Sequence, residues 1–236
     1  MELFGGRRGR IIFLCGTSCA GKTTLARAIQ EASQRPYLVA GIDSFFAMVP
    51  EKWGGGRAGA LSRDGFYYDE SERDCDGSPL TVIRYGDAGR RMLRAMRASV
   101  AALTVAGNDL IVDEMLLAPE LLVDWLDVLT GLDVLFVGVH CPLVVLENRE
   151  RERGRRGRSG LARGHLRVVH QHGHYDLEVD TSTGDAAELA EIVLTRRETG
   201  PAPTAFAALR RRRHCVLRGV SPLVPCDSAD GCDCRS

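Results

Sequence analysis

Lysine is almost absent from this chain. Among the 31 basic residues only Lys22 and Lys52 are lysines, and the others are arginines. Such a composition avoids lysine wherever either cation serves equally well. The two are not interchangeable everywhere, because an ammonium is a compact, flexible point charge and a guanidinium is a planar fork. Lys22, which lies in a motif described below, is therefore a candidate for a role that arginine cannot fill.

An excess of either charge is also missing. The 31 acidic residues balance the 31 basic ones, so the formal net charge is zero. Nothing global then favours nucleic acid or a membrane surface as a partner. Long apolar runs are missing too: residues 134–139, the longest candidate, are followed by His140 and Pro142. A membrane span needs roughly 20 apolar residues.

The basic residues near the N-terminus resemble a targeting signal only superficially. Arg7, Arg8 and Arg10 precede an apolar stretch, residues 11–15, which is too short for the core of a signal peptide. We interpret this stretch as the first strand and expect a cytoplasmic protein. The sequence leaves the oligomeric state open.

The cysteines do not form the pattern of a disulfide scaffold. Four are scattered through the body of the chain: Cys15, Cys19, Cys75 and Cys141. We expect them to be reduced thiols. The other four follow near the C-terminal end, with His214 close by: Cys215, Cys226, Cys232 and Cys234. This group could hold a metal or belong to an unstructured tail, and we favour the tail.

Residues 16–23 read Gly-Thr-Ser-Cys-Ala-Gly-Lys-Thr and match the phosphate-binding loop pattern G-x-x-x-x-G-K-[ST]. An apolar run precedes the motif and a helix-like segment follows it, so an ordinary glycine-rich turn is the weaker alternative. Backbone N–H groups of such a loop curl around phosphate oxygens, and the helix adds its positive N-terminal end. The predicted nucleotide-binding residues are Gly16, Thr17, Ser18, Cys19, Ala20, Gly21, Lys22, Thr23 and Thr24.

The motif predicts a nucleoside triphosphate and Mg²⁺ as the cofactors. Lys22 would reach the β and γ phosphates, which makes it a catalytic candidate, and the Thr23 hydroxyl would bind the metal.

Strand-like and helix-like segments alternate up to about residue 197. This alternation, with the phosphate loop after the first strand, predicts an α/β protein of the P-loop NTPase class whose five-stranded parallel sheet has helices on both faces. The predicted strands are residues 10–15, 36–40, 109–113, 133–140 and 177–180. We assign residues 1–197 to this domain, with an acceptor flap at 53–86 that contains two short extended pieces, 65–69 and 80–85. Residues 198–236 are predicted to be a basic, flexible tail containing proline and cysteine.

The carboxyl ends of parallel strands meet at one edge of the sheet, where ligands bind. Asp43 follows the second strand and could accept the proton of an attacking hydroxyl group. The alternative is that Asp43 or Ser44 caps the short helix predicted for residues 44–50. The two roles are compatible.

The third strand ends in Asp113-Glu114. Asp113 would hold Mg²⁺ through water, and a buried carboxylate without a partner would be costly. Glu114 is open to two interpretations, because an adjacent Asp-Glu pair is also what water-activating ATPases use.

Residues 149–158 alternate arginine with glutamate and glycine. They form either a solvated helix face or a lid whose guanidinium groups close on triphosphate. Glycines at 154, 157 and 160 favour an arginine-rich lid over residues 149–160, with Arg149 and Arg153 or Arg156 as the catalytic contacts. His170, His172 and His174 lack an acidic or cysteine partner nearby, so we interpret them as ordinary histidines.

The ordered motifs resemble one family, the chloramphenicol phosphotransferases. The match runs from residue 10 to about 196 and includes the phosphate loop, Gly41-Ile42-Asp43-Ser44, Ile111-Val112-Asp113, the lid residues, Val168-Val169-His170 and Tyr175-Asp176 with Glu178-Val179-Asp180-Thr181. The resemblance implies a kinase-like fold, MgATP, a small-molecule hydroxyl acceptor and Asp43 as the base.

The chain departs from this family in several places. Glu114 replaces a second aspartate, the lid has an extra residue, residues 53–85 diverge, and the tail has no counterpart. The variable parts would build the acceptor pocket, for which we expect Phe45, Phe46, Met48, Tyr67, Leu116 and Trp125.

Three functions follow from these patterns. The first is an ATP-dependent O-phosphotransferase acting on chloramphenicol or a similar antibiotic. The second is a metabolite or nucleoside kinase of the same fold. The third is an ATP-hydrolysing switch or binding module.

Overall fold

The computed structural model describes residues 6–54, 63–153 and 160–213. Seven strands lie within these ranges: β1 Arg10–Cys15, β2 Tyr37–Gly41, β3 Phe66–Arg73, β4 Pro79–Tyr85, β5 Asp109–Glu114, β6 Asp133–His140 and β7 Leu177–Asp180. Five of them form a parallel sheet in the order β2-β5-β1-β6-β7. The phosphate-loop strand β1 is central, because it pairs with β5 on one side and β6 on the other.

The helices of the described residues are α1 Lys22–Ala32, α2 Ile42–Phe46, α3 Asp87–Val105, α4 Pro119–Val128, α5 Leu143–Glu152, α6 Leu161–Val169, α7 Ala186–Thr199 and α8 Ala205–Arg211. They cover both faces of the sheet. Successive side chains of a strand point to opposite faces, so Phe13 packs with the α3, α4 and α8 side and Leu14 with the α1 and α7 side. The α/β class and the five-stranded parallel sheet with helices on both faces are confirmed.

The strands β3 and β4 form an antiparallel hairpin outside the main sheet, with an irregularity between Asp69 and Glu72. The two extended pieces predicted for the flap therefore do pair. Phe66, at the base of the hairpin, contacts Phe46 of α2 with ring centroids 4.4 Å apart. Residues 55–62 of the predicted flap lie outside the described residues.

The prediction of a flexible tail from residue 198 is wrong for residues 205–211, which form α8. Phe206 is buried and packs edge-on against Phe136, with centroids 5.0 Å apart. The Asp176 carboxylate accepts hydrogen bonds from the backbone N–H groups of Thr204 at 2.7 Å and Ala205 at 3.0 Å. The domain therefore extends beyond residue 197, because Phe206 completes its aromatic core. Residues 214–236, with four of the cysteines, lie outside the described residues.

We find no helix in the described ranges that is both long enough and apolar enough to cross a membrane.

Candidate active site

The phosphate loop joins the buried end of β1 to the first turn of α1. Gly21 precedes the helix at φ +87°, and Cys19 adopts φ +64°, a left-handed conformation that is uncommon outside glycine. A Cβ atom on Gly16 would lie 2.5 Å from the Val139 carbonyl oxygen, so only glycine fits there. No side chain among the described residues caps α1. Its first-turn N–H groups thus have the arrangement that binds an anion.

The side chains of Lys22, Thr23 and Asp113 meet beside this loop. The Lys22 ammonium is buried, donates to the Thr17 carbonyl at 3.0 Å and lies 3.6 Å from Asp113 Oδ1. The Thr23 hydroxyl donates to Asp113 Oδ2 at 2.7 Å. A buried cation requires a counter-charge, and Asp113 provides it. Hydroxyl and carboxylate oxygens are also the hard ligands that Mg²⁺ prefers, so these residues fit such an ion.

Asp43 reaches the same place from the neighbouring strand. Gly41 pairs with Asp113, and a Cβ on Gly41 would lie 2.5 Å from the Asp113 carbonyl oxygen. Glycine therefore allows β2 to end close against β5. The helix α2 starts at Ile42, two residues before the predicted start, and its N-cap is Gly41. The capping role considered for Asp43 is not adopted: its exposed carboxylate makes no hydrogen bond or ion pair to any described residue.

A cleft of about 660 Å³ is lined by the phosphate loop, Asp43, Asp113, Met115 and Arg153. A second cavity of about 600 Å³ adjoins it and is lined by Thr24, Leu25, Arg149, Thr181 and Gly184 among others. Both cavities contain Cys19, Gly21 and Arg153 in their walls. The charged groups are concentrated in the first cavity.

The two described arginines that were predicted as lid contacts take different places. Arg149 lines the second cavity only, and its guanidinium donates to the Thr181 carbonyl at 2.7 Å and the Thr181 hydroxyl at 3.0 Å. Arg153 lines both cavities, with Nη1 3.7 Å from Cys19 Sγ. Arg156 lies outside the described residues, as do residues 154–159 of the predicted lid.

Glu114 faces the core rather than the cleft. Its buried carboxylate accepts from Trp125 Nε1 at 3.1 Å and from the Met115 N–H at 2.8 Å. Burial raises the pKa of Glu114 to about 7, because desolvation disfavours the charged form. A carboxyl group in this position is not directed at a water beside the phosphate loop.

The acceptor pocket expected from the sequence is corrected at two positions. Trp125 is fully buried and packs edge-on against Phe13 with centroids 5.1 Å apart, and Leu116 is also buried. Both belong to the core under the sheet. Phe45 and Phe46 are half-buried on α2 beside Asp43, and Met48 is 75% exposed.

Of the three histidines that we interpreted as ordinary, His172 is buried in the core and His170 is half-buried beside it. His170 Nδ1 lies 2.6 Å from the Tyr175 hydroxyl, and His172 stacks on Phe136. Burial lowers the pKa of His170 to about 3 and that of His172 to about 4, so both are neutral near pH 7. Across the described ranges no group of three or more histidine, cysteine or acidic side chains could hold a metal ion.

Sequence reasoning missed the part that Thr181 takes in this site. Its hydroxyl donates to the Ala20 carbonyl of the phosphate loop at 2.7 Å, while its own oxygens accept from Arg149. Thr181 thereby ties the end of β7 to the loop. Its position directly after a parallel strand was the available signal, because that is where ligand sites collect.

Comparison with known proteins agrees with this geometry. A family model described as chloramphenicol phosphotransferase-like protein matches residues 9–198. Candidate O-phosphotransferases from two strains of Mycobacterium tuberculosis are 34% identical over 209 residues, which is 88% of this chain and 91% of theirs.

Solved structures, a kinase among them, share the fold. The APS kinase of Mycobacterium tuberculosis, solved with AMPPNP and APS, has a TM-score of 0.56 and 17% identity, with coverage of 82% of this chain and all of that one. The tunicamycin resistance protein of Deinococcus radiodurans has a TM-score of 0.54 and 17% identity, with coverage of 83% and 98%. The kinase-like fold predicted from the sequence is therefore confirmed.

The family match spans most of the chain, and the relatives cover nearly the same length. The predicted enzyme class, a phosphotransferase, is confirmed with it. The chain belongs to the chloramphenicol phosphotransferase-like family.

Proposed function

We propose that this protein transfers the γ-phosphate of ATP to a hydroxyl group of a small amphipathic molecule. The observation that most strongly supports this proposal is that one cleft beside the phosphate loop is lined by Lys22, Thr23, Asp113 and Asp43. Three of these groups suit a magnesium nucleotide, and the fourth is a carboxylate with no other partner among the described residues.

The nucleotide would occupy both cavities. The phosphate loop from Gly16 to Thr24 would hold the phosphates, with Lys22 against the β and γ groups. The second cavity, next to Arg149 and Thr181, would take the nucleoside. Thr23 and Asp113 would hold Mg²⁺, which when bound neutralises phosphate charge. Arg153 stands where both cavities meet, so it would contact the phosphates.

Asp43 would orient the acceptor hydroxyl and receive its proton as the new bond to phosphorus forms. A positioned general base contributes typically about 10² to 10⁴ in rate. The half-buried rings of Phe45 and Phe46 adjoin Asp43, which favours an acceptor with an apolar portion. Chloramphenicol is the first acceptor to test, and phosphorylation of such a hydroxyl would make this a resistance function. A cytoplasmic location would supply ATP and keep the free thiols reduced.

A metabolite or nucleoside kinase of the same site is the second candidate, because the residues around Asp43 set the chemistry but not the acceptor. The third, an ATP-hydrolysing switch, loses its main support, since the Glu114 carboxyl is held by Trp125 and Met115 in the core.

The test is release of ADP with and without acceptor, in a panel of chloramphenicol, other hydroxylated antibiotics and nucleosides. We expect release that depends on one class of alcohol, and a loss of about 10² or more in Asp43→Asn with ATP binding retained. Glu31→Gln, an exposed acid at the other end of α1, is the matched control. Equal release without any alcohol would instead favour the switch.

A further inference from the structure

The hairpin β3–β4 needs its own attachments, because no strand of the main sheet pairs with it. At its base, Phe66 packs against Phe46, which adjoins Asp43. At its other end lies the turn that contains Asp74 and Asp76. The contacts of this turn therefore affect how well the position of the hairpin and of α2 is fixed relative to the phosphate loop.

Arg163 of α6 joins the turn to the body of the protein. Its Nη1 donates to Asp74 Oδ2 and Asp76 Oδ2, both at 2.9 Å, and its Nε donates to Glu147 Oε1 of α5 at 2.8 Å. The Arg163 side chain is only 15% exposed. Hydrogen bonds to Glu147 and Asp74 raise the pKa of Arg163, and the same contact holds the pKa of Asp74 below its usual range. A planar guanidinium can meet three carboxylates in this way, whereas an ammonium matches the geometry less well.

Backbone contacts show how closely the hairpin lies on α6. The Thr81 N–H of β4 donates to the Gly160 carbonyl at 3.0 Å. A Cβ on Gly164 would lie 2.4 Å from the Thr81 carbonyl oxygen, so glycine is required for this approach. A side chain at that position would push the strand away from the helix.

The same helix supports the phosphate loop. The Thr17 hydroxyl donates to the Ala162 carbonyl at 3.1 Å. The buried Glu150 carboxylate accepts from the N–H groups of Gly160 at 3.0 Å and Ala162 at 3.1 Å, which holds the first turn of α6 in place. The helix α6 therefore contacts the hairpin on one side and the nucleotide-binding loop on the other.

We propose that Arg163 is a positioning residue for the acceptor: by holding the turn of residues 74–76 on α6, it fixes the hairpin, and through Phe66 the α2 segment with Asp43, relative to the phosphate loop. This inference rests on the proposed function. We therefore expect changes at Arg163 to alter acceptor binding more than ATP binding, although Arg163 lines neither cavity of the site.

The first test is hydrogen–deuterium exchange, which needs no acceptor. In Arg163→Gln the amides of β4, above all that of Thr81, should exchange faster than in the wild type, because the hairpin opens more often. Arg167→Gln is the matched control, since Arg167 is exposed on the same helix and forms no ion pair with a described residue. It should exchange like the wild type.

The second test is steady-state kinetics with chloramphenicol as the probe. We expect Arg163→Gln and Asp74→Asn each to raise the KM for chloramphenicol about tenfold, with the KM for ATP within about twofold of wild type. The double variant should show little further loss beyond that of Arg163→Gln alone, because Arg163→Gln already removes the contact that Asp74→Asn breaks. Arg163→Lys keeps the charge and should recover part of the acceptor KM.

The outcomes separate the two proposals. If the wild type releases no ADP with chloramphenicol or any other alcohol, the proposed function fails, while the exchange measurement still decides whether Arg163 holds the hairpin. Unchanged exchange in Arg163→Gln overturns the inference. Equal rises in the KM values for ATP and acceptor also overturn it, since they would mean a general loss of structure.

Discussion

The two halves of the active site are held in different ways. The nucleotide half stands on the ends of central strands, and its loop is confined by Gly16, Gly21 and the buried pair of Lys22 with Asp113. The acceptor half consists of α2 and the hairpin, which lies outside the main sheet, and the side chains of Asp43, Phe45 and Phe46 are half-buried or exposed. Under the proposed function, the phosphates are bound at the central sheet, and the acceptor and its base Asp43 are positioned by elements attached to that sheet.

The largest effect should follow loss of the Lys22 ammonium. Lys22→Met should lower kcat/KM for ATP by about 10³, because a fixed charge against the phosphates is removed. Arg27→Met, an exposed change on the same helix, should have little effect. The measurement is acceptor-dependent ADP release. Near-normal turnover in Lys22→Met would contradict the role of this ammonium in the nucleotide half.

The helix α8 should contribute to the stability of the core. Phe206→Ala should lower the free energy of unfolding by about 3 kcal/mol, since the ring packs against Phe13 and Phe136. Chemical denaturation measures this, with the exposed Ile192→Ala as control. A change below about 0.5 kcal/mol would mean that α8 does not contribute to the core.

Glu114 should give the nucleotide half a pH-dependent stability. Its pKa in the folded protein is about 7, above the ordinary value of 4.5, so the folded state binds the proton more tightly. This contribution is complete below about pH 4.5 and is lost as the pH rises through 7. Relative to Glu114→Gln, the wild type should lose roughly 3 kcal/mol between pH 4.5 and 8. The same pH dependence of the free energy of unfolding in both proteins would contradict the raised pKa of Glu114.

The smallest expected effect is that of Arg149, which distinguishes the second cavity from the first. Arg149→Gln should raise the KM for ATP about tenfold with a smaller change in kcat, because Arg149 lines only the second cavity. Arg94→Gln serves as an exposed arginine control. A loss confined to kcat would place Arg149 at the transferred phosphate instead.

Sequence predicted the nucleotide half well because its signals are local. The bounds predicted for β1, β6 and β7 match the structure, since β1 and β6 are mainly apolar runs and β7 alternates apolar with acidic residues. The phosphate loop is likewise a contiguous motif. Once a parallel sheet is assumed, Asp43 and Asp113 follow as residues at the same edge.

What the sequence did not reveal depends on contacts between distant residues. Trp125 turns inward because Glu114 accepts its indole N–H, and Phe206 joins the core because Asp176 caps its helix. Arg163 meets Asp74 from 89 positions away. No local period or spacing encodes these pairings, so the core-facing Trp125 and the ordered α8 were missed.

The most direct measurement of the central claim follows a labelled γ-phosphate. Wild-type protein is incubated with γ-labelled ATP, Mg²⁺ and chloramphenicol or another alcohol of the panel, and the products are separated. The account predicts label on the hydroxyl group of the alcohol, and its absence from that product in Asp43→Asn. Label found only in inorganic phosphate, or the same labelled alcohol with Asp43→Asn, would contradict it.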